Sequence, residues 1–461
     1  MRGGKLALAD GGRAGWQKVL RTARAWHGEK ALRRRLRNVG HLLGGNFGSL
    51  LLGLLAFALT ARALGPAGYG ALALTYAYVR AIERIVSFQS WQPLIKYGAG
   101  LWGVDGQQAE LGTLFKFGIL LDLATALAAW ALAFALALLA APWFGWDDAT
   151  LSLVLLYTTV LPFNLNGAPT AALRLSGRFG FVAYGQVANA ALRLALCVAA
   201  TWLGGSVLAF ALIWMGTQIL GSLTTLALAQ RELRRVGVGL RSLLRAPVRG
   251  MGSRFPGVWG FAWSTNLSLT IRSSAQEFDT LLVGALADPA SAGLYHIAKR
   301  VGRLAQQIGV QVQAVLYPEV ARLWTRGAKA EFSRAVLQVE IILAGFGIAS
   351  FLFFLVAAEP LLRWSAGPAF VAAAPLLVVQ MLAVTMTLSG IAVRAALLAM
   401  GQHREVLRVV LLATLAFHAT AISLIPFIGP MGANLGHIAL GIIWCAGLSL
   451  AFRHAIRAVP A

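Results

Sequence analysis

The chain has 461 residues, 58% of them hydrophobic and only 12% charged, with a mean hydropathy of +0.71. A soluble domain carries about twice that share of charge, and apolar stretches long enough to cross a hydrocarbon core about 30 Å thick recur along the whole sequence, which excludes a water-soluble fold. The net charge of +23 does not point to nucleic acid, because most basic residues sit in short segments between apolar spans, where they fix topology.

Residues 1–39 form a basic segment that includes Arg13, Lys18, Arg21, Arg24, Lys30, Arg33, Arg34, Arg35 and Arg37. It is too long for the charged start of a secretory signal and no cleavage site follows, so the first span is expected to be an uncleaved anchor. Residues 16–37 read either as a basic amphipathic helix on the anionic inner leaflet or as a solvated tail. Twelve spans then follow, at 40–63, 69–96, 112–141, 150–173, 180–203, 206–229, 257–284, 292–318, 333–358, 371–399, 405–428 and 432–456. With the N-terminus inside, the inner loops collect Arg174 and Arg178, the run from Arg231 to Arg254, Arg322 to Arg334, Arg404 and Arg408, and Arg453 and Arg457. The outer loops hold only Arg62 and Arg363 as basic residues. This bias predicts two cytoplasmic termini.

The basic stretch 230–256 separates an N-terminal six-helix bundle (40–229) from a C-terminal one (257–457). The halves repeat weakly at an offset of 223 residues: Pro66 to Gly70 (PAGYG) matches Pro289 to Gly293 (PASAG), Arg80 falls on Arg303, and Gly167 on Gly390. An even number of spans between equivalent positions gives both halves one orientation, related by an axis along the membrane normal. The expected architecture is an all-α polytopic membrane protein with about twelve transmembrane helices in two repeat-related bundles around a central cationic cavity.

Catalytic signatures are missing. No lysine is followed by Ser or Thr, which excludes a P-loop, and neither HExxH nor GxSxG occurs. The histidines are scattered, so no metal site is expected, and Cys197 and Cys445 lie inside apolar spans as small core residues. Neither an enzyme nor a cofactor is implied.

Charges inside the spans are the functional signal, since each costs at least about 2.5–3.5 kcal/mol at mid-bilayer. Lys116 and Arg394 lie near span ends, where they snorkel. Arg80 and Arg303, by contrast, lie about 15–16 Å along their spans, close to the midplane. Arg80, Glu83, Arg84, Ser87 and Trp91 share one face of span two. His296, Lys299, Arg300, Arg303, Gln306 and Gln307 share a stripe of span eight, and span seven adds Asn266, Arg272, Gln276, Glu277 and Asp279. The alternative to a functional role is internal salt bridges that hold the bundle together, such as Arg80–Glu83 or Arg272–Glu277. The Lys299–Arg300–Arg303 group has no acid on its own span before Glu319, so it reads as an anion site. Arginine forks match phosphate oxygens bidentately and lysine adds a point charge. Trp91, Trp259, Trp263 and Tyr295 are either sugar-stacking or interfacial aromatics.

The segments ARALGPAGYGALAL (61–74), SFQSWQPLIKYGA (87–99), FDTLLVGALADPASAGLYHIAKRVGRL (278–304) and YPEVARLW (317–324) resemble the bacterial polysaccharide (O-antigen type) flippases of the multidrug/oligosaccharidyl-lipid/polysaccharide exporter superfamily. That resemblance implies alternating access and a polyprenyl-diphosphate-linked glycan as substrate, moved across the inner membrane. It also implies contact with membrane lipids and with a glycan polymerase or other assembly proteins. It suggests Arg80, Arg84, Arg272, Lys299, Arg300 and Arg303 for the substrate and Asp279, then Glu83 and Glu277, for ion or proton coupling. The rival readings are a multidrug exporter, which needs an acidic cavity, a membrane enzyme, and a scaffold subunit.

Overall fold

The computed structural model describes residues 30–88, 90–142, 145–248, 250–260, 262–263 and 276–457. Arg272 and Asn266 of span seven, and residues 1–29 of the basic segment, lie outside the described residues. Every regular element among those described is helical. The N-terminal half comprises α1 (Lys30–Val86), α2 (Trp91–Gly98), α3 (Gln108–Ala140), α4 (Asp148–Thr158), α5 (Gly167–Leu175), α6 (Phe179–Trp202) and α7 (Val207–Arg235). Two short helices, α8 (Leu240–Arg245) and α9 (Met251–Arg254), occupy the linker. The C-terminal half comprises α10 (Asp279–Leu286), α11 (Pro289–Thr325), α12 (Lys329–Ser365), α13 (Ala374–Leu388), α14 (Ile391–Ala399), α15 (His403–Ile428) and α16 (Pro430–Arg457).

Among the described residues nine segments are long and apolar enough to cross a membrane, and ten of the twelve expected spans lie within them. The first, Gly44–Val86, holds spans one and two, because Gly65 breaks α1 with φ 68°, a left-handed conformation that suits glycine, immediately before Pro66. The helix α11 carries span eight but is too charged to count by hydropathy, and residues 264–275 of span seven lie outside the described residues.

Three expected spans are interrupted. Span two stops at Val86 and resumes as α2, so Trp91 stands on a separate short helix rather than on the helix of Arg80. Span four breaks between α4 and α5, where Pro162, Asn164 and Asn166 favour a turn. Span ten breaks at Ser389 and Gly390. The last two breaks sit at the repeat-related Gly167 and Gly390, and each has a carboxylate near the N–H groups of the helix that follows. Asp122 Oδ2 accepts from Ala168 N at 2.7 Å, and Glu340 lies against the backbone N–H groups of Ala392 and Val393. Both place a carboxyl group at the positive end of a helix dipole. This accounts for two intramembrane acids without invoking transport.

The halves share a core at one end and separate at the other. At the end bearing Pro66 and Pro289, one continuous apolar cluster runs from Phe57, Tyr69 and Leu72 through Phe210 and Trp214 to Ala292, Tyr295, Phe370 and Phe417. At the end bearing the loop arginines there are two clusters, one within each half: Leu94, Phe115, Leu173 and Leu233 in the first, Leu316, Phe332, Leu397 and Val409 in the second. The molecule is therefore closed at the Pro66 end and cleft at the basic end.

The closure is reciprocal. A Cβ on Gly293 would lie 2.6 Å from the Pro66 carbonyl oxygen, and one on Gly70 would overlap the Pro289 carbonyl oxygen. These four residues are two pairs at the 223-residue offset, so the same contact is made twice, once in each sense. Phe255 and Val258 are buried in the N-terminal core, and Trp259 packs edge-on against Phe117 with ring centroids 5.0 Å apart. Packing on the N-terminal half thus continues past residue 257, where the sequence places the start of the second bundle.

Candidate substrate cavity

The second part of α1 and the middle of α11 carry the intramembrane charges to the cleft. Arg80 Nη1 bonds Glu83 Oε2 at 2.7 Å, one helical turn away, and the arginine side chain keeps 31% of its surface exposed. Arg303, equally exposed, donates to the Gln276 carbonyl at 3.2 Å and lies 3.9 Å from Glu277. Arg80 and Arg303 come from opposite halves, on α1 and α11, two helices that pack against each other. Arg80, Arg84, Glu83, Ser87 and Trp91 line a cavity of about 280 Å³ that ends at Arg174, whose guanidinium stacks 4.3 Å over the Trp91 ring. Among the described residues this cavity's wall sets Arg80, Arg84 and Arg174 against Glu83 and Asp122, a modest cationic excess.

The span-eight group divides on inspection. Lys299 does not join the open cavity: it is 8% exposed and forms a short ion pair with Asp279, while donating to the Gln276 carbonyl at 2.6 Å. The group has no acid on its own span before Glu319, but it is not without counterions. Its acids, Asp279 and Glu277, arrive from the preceding segment, which folds back along α11. Arg300 is also withdrawn, with its guanidinium 3.7 Å from the Phe57 ring centroid and 5.4 Å from that of Tyr76, a cation–π arrangement.

Asp279 is fully buried and is the hub of a network across three helices. Tyr295 Oη donates to its Oδ2 at 2.8 Å, and His437 Nε2, from α16, lies 3.1 Å from both that oxygen and Tyr295 Oη. Thr280 N donates to Oδ1 at 2.6 Å. Lys299 is the buried cation paired with Asp279. Tyr295 is committed to this network and is not free to stack on a sugar. In the sequence His437 is one of several scattered histidines, and its only signal is that an ionisable residue lies in the middle of an apolar span. Nearby, Tyr69 Oη and His296 Nδ1 share a 2.8 Å hydrogen bond between the halves. No cluster of His, Cys, Asp and Glu suited to a metal occurs among the described residues.

A second, larger cavity of about 540 Å³ shares Arg80, Glu83, Asn164, Asn166 and Thr170 with the first and extends between α6 and α7. It contains the polar stripes Gln186, Asn189 and Arg193 on α6 and Gln218, Ser222 and Thr225 on α7. Spacings of three, four and seven residues put each set on one helical face. The stripes are visible in the sequence as helical spacing but carry little net charge, so intramembrane charge does not single them out.

Residues 35–324 match the family model for polysaccharide biosynthesis protein. Inner membrane protein YghQ of Escherichia coli (strain K12) is 29% identical over 344 residues, 73% of this chain and 94% of that protein. Among solved structures, an inward-facing multidrug resistance MATE family transporter of the MOP superfamily superposes with a TM-score of 0.70 at 15% identity, covering 89% of this chain and 96% of that one. The lipid II flippase MurJ in an inward closed conformation gives 0.68 at 16% identity, covering 89% and 86%. These likenesses establish the fold. With the two-bundle architecture and its arginine-lined cleft in place, the chain belongs to the polysaccharide biosynthesis protein family and has the fold of the MOP superfamily transporters.

Proposed function

We propose that this protein moves a polyprenyl-diphosphate-linked oligosaccharide from the cytoplasmic to the periplasmic leaflet of the bacterial inner membrane by alternating access. The observation that carries the reading is the cleft at one end only, with Arg80 and Arg84 lining one cavity on α1 and the equally exposed Arg303 on α11, the helix packed against α1 from the other half. A diphosphate is the anion that every glycan lipid of this class presents, and arginine forks bind it bidentately. The family match and the likeness to a lipid II flippase support the same substrate class. A multidrug exporter is disfavoured, since cationic drugs call for an acidic cavity. The substrate-binding set is thereby centred on Arg80, Arg84 and Arg303, with Arg300 and Lys299 behind them, and the Asp279–Lys299–His437 network is the candidate for ion or proton coupling. Glu83 and Glu277 are the next coupling candidates.

The basic end is the cytoplasmic one in this reading, because loop arginines are retained inside. Reporters fused after Ala461 and inserted near Arg241 should both read cytoplasmic, and one near Asp147 periplasmic. A periplasmic signal from either of the first two contradicts the orientation.

The substrate reading is tested by binding. Purified protein should bind polyprenyl diphosphate far more tightly than polyprenol, and Arg303→Ala should weaken the diphosphate complex about tenfold or more. Arg303→Lys should recover only part of the loss, because the bidentate fork is gone. Equal affinity for the diphosphate and the alcohol would contradict the proposal.

A further inference from the structure

We infer that the cavity between α6 and α7 is a subsite for the uncharged sugar rings of the substrate, which it would hold through the carboxamides of Asn164, Gln186, Asn189 and Gln218. The inference rests on the glycan-lipid reading above and adds where the glycan sits and what chemistry holds it. A carboxamide offers two donors and two acceptor lone pairs on one rigid plane, a match for adjacent sugar hydroxyls that carry both functions. Within a membrane such groups are expensive unless satisfied. Here the side-chain oxygen of Asn189 and the side-chain nitrogen of Asn164 are buried without a hydrogen-bond partner. Gln218 reaches Asn164 at a long 3.3 Å, so these groups are only partly occupied by one another. Gly221 leaves the space that Asn189 fills: a Cβ there would lie 2.9 Å from the asparagine nitrogen.

Size and position fit the same ligand. A volume of about 540 Å³ falls in the range that encloses a small organic ligand, enough for a short run of sugar rings. Among the described residues, the charged groups on its wall are Arg80, Glu83 and Arg193, and Arg193 is held by Thr217 Oγ1 at 2.9 Å. Recognition there therefore depends on hydrogen bonds rather than on charge. Arg80 borders both this cavity and the cationic one, so a diphosphate held by Arg80, Arg84 and Arg303 has its attached glycan directed into the carboxamide cavity. The competing explanation is that these polar residues only hold α6 against α7, as interhelical hydrogen bonds do in membranes.

The test compares bare polyprenyl diphosphate with a panel of polyprenyl diphosphates carrying hexose or N-acetylhexosamine disaccharides. Wild-type protein should bind at least one glycan-bearing lipid about tenfold or more tightly than the bare one. Asn189→Leu and Gln218→Leu, each close to native volume, should each lower that preference about five- to tenfold while leaving affinity for the bare lipid unchanged. If Asn189→Leu cannot be purified, Gln186→Ala, on the exposed side of α6, makes the same comparison. No preference for any glycan-bearing lipid, or variants that lose both lipids equally, would overturn the subsite and leave the diphosphate reading standing. Failure of wild type to bind even the bare lipid would overturn both.

Discussion

Asp279→Ala should collapse both the stability and the transport activity of this protein. The substitution removes the counterion of Lys299, which is itself buried, along with the acceptor for Tyr295, Thr280 and His437. Breaking one side of a buried pair costs about 3–5 kcal/mol, because the remaining charge stays buried without compensation. A low yield and a lowered unfolding temperature in detergent are the expected readouts. The double variant Asp279→Leu/Lys299→Met removes both charges, and an apolar replacement of a buried pair is often neutral for stability. The double variant should therefore recover folding but not transport if the network couples an ion or proton to the cycle. Recovery of both would show a purely structural pair, and recovery of neither would show that the tyrosine and histidine contacts dominate.

Gly70→Leu should abolish transport without removing the protein from the membrane. Any side chain there overlaps the Pro289 carbonyl oxygen, and that oxygen belongs to backbone that cannot rotate away. The state closed at the Pro66 end becomes inaccessible, and the halves must part there. Spin labels at Ala67 and Ala287, both exposed, in a background with Cys197 and Cys445 replaced by Ala, should report a longer separation than in the unsubstituted background. Gly293→Leu, the repeat-related substitution against Pro66, should do the same. An unchanged separation with normal transport would show that the two helices slide past each other and that the close approach is not needed.

The repeat was the most legible part of the fold. Pro66/Gly70 and Pro289/Gly293 were aligned at an offset of 223 residues, and in the structure the pairs touch each other across the closed end. Pattern along one helix also placed Arg80 with Glu83. It did not place Asp279 with Lys299, because helical periodicity sees one span at a time and this pair depends on α10 folding back on α11. Hydropathy was likewise blind to the interruptions of spans two, four and ten, where the side chains stay apolar enough to read as continuous. Pro162, Asn164 and Asn166 supply turn chemistry at the break in span four, a signal the continuous span 150–173 does not take into account. The carboxamide stripes are silent for a different reason: Asn and Gln lower hydropathy as much as Asp and Glu do but carry no charge, so a reading built on intramembrane charge does not single them out, although their need for a hydrogen-bond partner in a membrane is real.

The central claim is tested most directly in proteoliposomes loaded with a fluorescently tagged polyprenyl-diphosphate disaccharide, by following how fast the label becomes accessible to a membrane-impermeant quencher on the opposite face. Wild-type protein should move the lipid well above the protein-free rate. Arg80→Ala, Arg84→Ala and Arg303→Ala should each remove most of that excess while the reconstituted amount stays the same. Wild-type vesicles no faster than empty ones, under an applied ion or proton gradient of either sign, or arginine variants as fast as wild type, would contradict the account.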